Sequence, residues 1–243
     1  MNMLRFMTLK PPTDVPAVVE TRLAHDVHRV ATALLAEAAL DASVPLDATA
    51  QLRDFLVANL RHHHQTEDDD LWPRITAKAP AAAKALDSLT DEHDQLDAAL
   101  DRLAGVAVHV DEAVGGDPLA TVGPGTGDGA ASTGEAAVRA ALYDAAVTVR
   151  DVVHDHLTHE EPVLFPALRE HVSPAEWQDF AQRVIATTPP VAGHLMVGFL
   201  DEVGTPAEVE LVLSGLPEPV RPLVPGMRLQ AEADLGVLRG TGA

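Results

Sequence analysis

The chain reads as an all-α protein, and three features predict this. Hydrophobic residues make up 47% of its 243 residues but aromatics only 3%, so the apolar content is aliphatic, and alanine-rich stretches such as 79–85 favour helix over sheet. Apolar residues recur at steps of three and four instead of alternating. The most distinctive stretch, His62 to Pro73 (HHHQTEDDDLWP), returns later as Asp155 to Pro166 (DHLTHEEPVLFP). Both contain His-x-x-x-Glu, then four residues, then aromatic-Pro. Four residues of helix turn the chain by about 400°, so His63 and Glu67, and likewise His156 and Glu160, project from one face about 6 Å apart, the spacing of a chelating pair.

Composition removes several functions. A formal charge of −20 repels phosphate backbones and anionic lipid, so neither nucleic acid nor a membrane surface is expected as a partner. The absence of cysteine excludes disulfides, iron–sulfur clusters and thiolate zinc sites, leaving histidine and carboxylate to hold any metal. No run of about 18 uncharged apolar residues exists, and Met1 to Pro16 lacks the basic-then-apolar layout of a secretory signal. A cytoplasmic protein is expected.

Residues 1–15 form a short arm in which Thr13 or Asp14 can cap the first helix and Pro16 suits its first turn. That helix spans 16–40, with Leu23, Val27, Val30, Ala31, Leu34 and Leu35 on its apolar side. His28 lies at the margin of that side and is the preferred core-facing histidine; His25 points further round and is its substitute. A second helix, 47–78, carries the stripe Leu52, Leu56, Leu60, His63, Glu67, Leu71, so the His–Glu pair continues a buried face. Burying an uncompensated carboxylate costs several kcal/mol, which a cation offsets. Asp68, Asp69 and Asp70 are expected in solvent, and Pro73 should kink or end the helix beside Trp72.

A third helix, 81–104, has the seam Leu86, Leu89, His93, Leu96, Leu100, Leu103. Asp97, four residues after His93, is either a further oxygen donor or an exposed partner of Arg102. Residues 105–134 are a glycine-rich acidic insert, read as a surface loop; none of its glycines opens a helix after a strand, so it is no phosphate loop. The fourth helix, 135–171, aligns Val149, Val152, Val153, His156, Glu160, Leu164 and Ala167, with Pro162 and Pro166 distorting it beyond the ligands. His154 and His159 lie off the stripe. The domain is thus 16–171, and 172–243 is a helical extension packed on it. In that extension Ser173 caps a helix, further helices fall near 191–203, 206–214 and 218–223, and His194 reads as a core histidine.

Together the inward stripes carry one histidine from the first helix, then His63, Glu67, His93, His156 and Glu160, with His64 a further candidate. Zinc would take four such donors; six or more nitrogen and oxygen donors with two symmetric carboxylates suit two irons better. This pattern resembles the hemerythrin-like, His-His-Glu cation-binding family, and its helical extension is similar to the actinobacterial branch. The resemblance rests on His28 or His25, His63-x-x-x-Glu67 with Leu71-Trp72-Pro73, Glu92-His93, and His156-x-x-x-Glu160-Glu161 with Leu164-Phe165-Pro166.

The resemblance implies an up-down four-helix bundle of hemerythrin type with additional C-terminal helices. It also implies two non-haem iron ions, carboxylate- and oxo/hydroxo-bridged, with Glu67 and Glu160 bridging and the histidines terminal. Two departures stand out. Oxygen-carrying hemerythrins have a second histidine four residues after the first on the third helix, where this chain has Asp97, and their fourth-helix carboxylate follows its histidine by five residues instead of four. His64 or Asp97 is left to fill the gap. The expected function is binding of O2, peroxide or NO for sensing, scavenging or storage; the alternatives are a peroxide-decomposing catalase- or peroxidase-like enzyme, or an iron-responsive interaction module.

Overall fold

The computed structural model describes residues 14–108 and 127–241. The expected arm up to residue 13 and the centre of the glycine-rich insert, 109–126, lie outside the described residues. Everything regular within them is helical. Helices α1 (Pro16–Leu40), α2 (Leu46–Thr66), α3 (Trp72–Lys78), α4 (Pro80–Ala104) and α5 (Gly127–His171) build a bundle, with a π-helical turn, Glu67–Leu71, joining α2 to α3. Then come α6 (Pro174–Thr187), α7 (Gly193–Val203), α8 (Pro206–Ser214), a 3₁₀ turn Arg221–Leu223, and α9 (Val224–Leu238). No described helix is long and apolar enough to cross a membrane.

The stripes explain the topology. Two apolar clusters form, and a polar layer lies between them. One cluster holds Leu23 to Ala39 of α1, Leu52 to Leu60 of α2, Leu96 to Leu103 of α4 and Leu142 to Leu157 of α5. The other holds Ala17 and Val18, then Leu71, Trp72 and Ile75, Leu86 and Leu89, and Leu164 to Leu168. Along the chain α1 runs from the second cluster to the first, the α2–α3 arm back, α4 forward again and α5 back, which is an up-down-up-down bundle. Each helix crosses the interval between the clusters with its histidines or carboxylates.

The turn before Pro73 has a local cause. Proline lacks an N–H and its ring collides with the carbonyl four residues back in an α-helix. The chain widens for one turn, the Trp72 N–H donates to the Glu67 carbonyl five residues back, and Pro73 enters the first turn of α3. Such π turns often sit at functional sites. Pro162 and Pro166 stay inside a continuous α5.

Several expectations need correcting. Asp14 does not cap α1: Val15 is the N-cap residue, without a side-chain cap, and Asp14 pairs with Arg169 at 2.7 Å. Val30 is exposed. Helix α5 begins at Gly127, inside the segment expected to be loop up to 134. Asp70 is held by Arg183 at 2.9 Å and by Arg74. Helix α9 was not foreseen; its inward face is Val224, Ala231, Leu235 and Leu238, a stripe diluted by an alanine.

The extension is fastened to the bundle by specific contacts. Phe55 and Phe199 stack with ring centroids 6.0 Å apart, Arg22 pairs with Glu208 at 2.6 Å, and the Trp177 indole N–H donates to Glu20 at 3.1 Å. Ser173 and Glu176 form a reciprocal capping box at the start of α6. Helices α7 and α9 meet at a glycine: a Cβ on Gly198 would lie 2.6 Å from the Ala231 Cβ and 2.9 Å from Leu235. Gly198→Val should therefore cost about 2 kcal/mol through overpacking, read as a lower urea midpoint with an unchanged slope.

Candidate metal centre

The layer between the clusters gathers eight side chains. His25 and His28 come from α1, His63 and His64 from the end of α2, Glu67 from the π turn, His93 from α4, and His156 and Glu160 from α5. His25, Glu67 and Glu160 are almost fully buried, as are His28, His64, His93 and His156, while His63 is partly exposed. Two donor groups emerge. One is His64, His93 and His156; the other is His25, His63, Glu67 and Glu160; within each, one donor atom per residue falls within 4.8 Å of all the others.

The two carboxylates face both groups. Glu67 Oε1 is 3.3 Å from His63 Nε2, and its Oε2 is 3.8 Å from His93 Nε2. Glu160 Oε2 is 3.5 Å from His25 Nε2 and 3.4 Å from His156 Nε2. Each carboxylate thus touches one histidine of either group, the arrangement in which a carboxylate can bridge two cations.

Three histidines are oriented from outside. His25 Nδ1 meets Glu161 at 3.1 Å, His93 Nδ1 meets Asp68 at 3.0 Å, and His156 Nδ1 meets Glu92 at 3.1 Å. A carboxylate on Nδ1 fixes the tautomer that bears the proton there and turns the Nε2 lone pair inward. Glu92 also meets His159 at 3.0 Å, and Arg29 meets Glu161 at 2.7 Å. Sequence reading assigned Asp68, Glu92 and Glu161 no such role; the available signal was an acidic neighbour beside Glu67, His93 and Glu160.

Electrostatics describes a site short of positive charge. Burial, reinforced by neighbouring histidines, holds His63 and His64 well below the usual histidine range, and burial with His25 beside it pushes His28 down to about 3. These rings are neutral and their lone pairs are available. Burial and the adjacent Glu160 drive Glu67 well above the carboxylate range. Burial also works to raise Glu160, but His25, His156 and His93 outweigh it and hold the group low. His25 Nε2, His28 Nδ1, His63 Nε2, His64 Nδ1, Glu67 Oε2 and both Glu160 oxygens are buried without a hydrogen-bond partner. Unpaired buried polar atoms are expensive, and seven in one layer, all nitrogen or oxygen donors, fit metal cations. Bonds of roughly 2.0–2.2 Å to one ion place its donors no more than about 4.4 Å apart, close to the observed spacing.

The expected residues are placed as follows. His63, Glu67, His93, His156 and Glu160 all enter the two groups. On α1 it is His25, the substitute, that joins them. His28 stays outside both, its ring edge-on to His63 with centroids 4.8 Å apart. His64 is fully engaged, stacked on His93 with centroids 4.4 Å apart. Asp97 is exposed and faces Arg61. Asp68, expected in solvent, is turned to His93. His194 is buried in α7, pairs with Asp234 at 2.8 Å and joins neither donor group.

A chamber of about 520 Å³ reaches His63 and Glu67 from a rim that includes exposed Gln182 and Arg221.

Residues 20–123 match the family model described as the hemerythrin HHE cation binding domain. The match takes in His25, His63, His64, Glu67 and His93; His156 and Glu160 lie beyond it and are brought to the same layer by α5. No curated protein and no solved structure matches the chain.

Proposed function

From a chain that carries a hemerythrin HHE cation-binding domain, we propose a non-haem di-iron protein that binds O2, peroxide or NO for sensing, scavenging or storage. The observation that carries this reading is the pair of donor groups sharing Glu67 and Glu160. His64, His93 and His156 would hold one iron, His25 and His63 the other, and the two carboxylates would span both. Hard carboxylate and borderline imidazole donors in this number suit iron. When bound, the two irons supply one-electron chemistry and positions at which a small ligand exchanges.

The chain's own residues supply the rest. Burial keeps His63 and His64 neutral, so these two bind a cation without first releasing a proton, whereas on His156 the carboxylates of Glu160 and Glu92 outweigh burial and raise its pKa. Glu161, Asp68 and Glu92 hold three rings in register. Leucine layers on both sides keep bulk water from the centre, and the chamber gives a small molecule its route to the side bearing His63 and Glu67. His64 supplies the histidine that the third helix lacks, so one group has three histidines and the other two.

The test is metal analysis of untagged protein, with optical spectra before and after adding peroxide, O2 or NO. About two irons per chain and a ligand-dependent charge-transfer band are expected; zinc in place of iron, or spectra indifferent to all three ligands, would reject the reading. Steady-state peroxide turnover well above that of free iron would move the protein to the peroxide-decomposing alternative, which the open chamber favours.

A positioning effect follows from Glu92. Removing it in Glu92→Ala leaves the His156 ring free to rotate, and iron affinity should fall by roughly 10–100-fold, measured by competition with a chromophoric chelator. Helical circular dichroism should be unchanged, since Glu92 is only half-buried at the surface of α4.

A further inference from the structure

The chamber beside His63 and Glu67 is far larger than a diatomic gas or peroxide needs. At about 520 Å³ it falls in the range of pockets that enclose small organic molecules, roughly 300–1,000 Å³. Its walls come from α1, α6 and α8, so the extension completes it. Trp177 and Phe180, with ring centroids 5.1 Å apart, supply aromatic surface, and Leu211 supplies aliphatic surface.

Its polar groups select the ligand's charge. Glu20 lines the wall; its Oε2 accepts from the Trp177 indole at 3.1 Å, and its Oε1 has no hydrogen-bond partner among the described residues. Glu67 lies at the metal layer. Arg221 is the sole Lys or Arg among the described lining residues, and its Nε and Nη2 are each spent at 2.8 Å on the carbonyls of Leu216 and Ser214. A carboxylate or phosphate entering here would meet the carboxylates of Glu20 and Glu67, while the one cation, Arg221, is exposed at the rim and tied to those two carbonyls. An apolar molecule with a hydrogen-bond donor would meet a ring surface and an open acceptor.

We propose that this chamber binds an uncharged aromatic alcohol of the phenol class, its ring against Trp177 and Phe180 and its hydroxyl donating to Glu20. The ligand then sits next to the metal layer, a juxtaposition whose purpose rests on the di-iron reading, while the binding itself does not.

Calorimetric titration of the full-length protein with 4-butylphenol tests this. One site per chain is expected. 4-Butylanisole, which lacks the donor, and 4-butylbenzoate, which carries a negative charge, should each bind at least about tenfold more weakly, as expected for losing a hydrogen bond to a charged group. Glu20→Ala should weaken the phenol by a similar factor, and Ala181→Trp, which fills the chamber, should abolish binding without changing helical content. No saturable binding of the phenol, equal binding of the anisole or benzoate, or undiminished binding in a folded Ala181→Trp would overturn the proposal. The three probes decide the matter on unmodified protein even where a variant fails to fold. Metal content measured on the same samples separates the two readings: phenol binding to protein that takes up no iron refutes the di-iron centre alone, and iron without phenol binding refutes the chamber alone.

Discussion

Glu67→Ala should empty both halves of the centre, lowering iron from about two per chain to near zero. Glu67 is the carboxylate whose two oxygens face different donor groups, 3.3 Å from His63 and 3.8 Å from His93. Its removal takes one anionic donor from each side at once, leaving Glu160 as the sole carboxylate against two dications. His64→Ala provides the contrast, because His64 belongs to one group only; this variant should keep the iron held by His25 and His63 and lose its partner, giving about one per chain. Elemental analysis after gel filtration reads both. Equal iron in the two variants would show that the groups do not share Glu67. Neither variant should unfold, because Glu67→Ala removes a buried carboxylate that lacks full compensation in the metal-free chain.

Removing the metal from the unaltered chain should have the largest effect on stability. Without a cation the layer retains seven unpartnered buried donor atoms, carried by α1, the end of α2, the π turn and α5. Binding at about a thousand times Kd stabilises a protein by about 4 kcal/mol, and for a chain of this size that shifts Tm by about 10 °C or more. Chelator-treated protein should therefore melt at least that much below iron-loaded protein, and added Fe(II) should restore it. Coincident melts would mean that the layer is satisfied without metal.

How far the sequence foretold this arrangement depended on whether a signal was local. Leu52, Leu56 and Leu60 identified the inner face of α2 because their spacing is a property of one helix. The same stripe leads on equally to residue 63, three beyond Leu60, and to residue 64, four beyond it. Following the His-x-x-x-Glu spacing favoured His63 and left His64 unresolved, although both reach the layer. On α1 the periodicity could not separate His25 from His28. That helix packs against α5 on one side and α7 and α8 on another, so most of its circumference is apolar and the wheel has no single centre. Periodicity reports burial and not the neighbour responsible for it.

Other features depended on distant parts of the chain. The acids Asp68, Glu92 and Glu161 look like ordinary surface charge until the helices carrying the histidines are brought alongside. Helix α9 escaped notice because its contact with α7 uses the small residues Gly198 and Ala231, which contribute close approach instead of a hydrophobic signal. The chamber belongs to the same class: Glu20 and Trp177 are 157 positions apart in sequence, and nothing local to either suggests that they share a wall.

The most direct measurement of the central claim is anomalous diffraction at the iron edge from crystals of iron-loaded protein. Two peaks are predicted in the polar layer, one enclosed by His64, His93 and His156 and the other by His25 and His63, with Glu67 and Glu160 between them. A single peak, or iron found only at acidic surface residues with the layer vacant, would contradict the account.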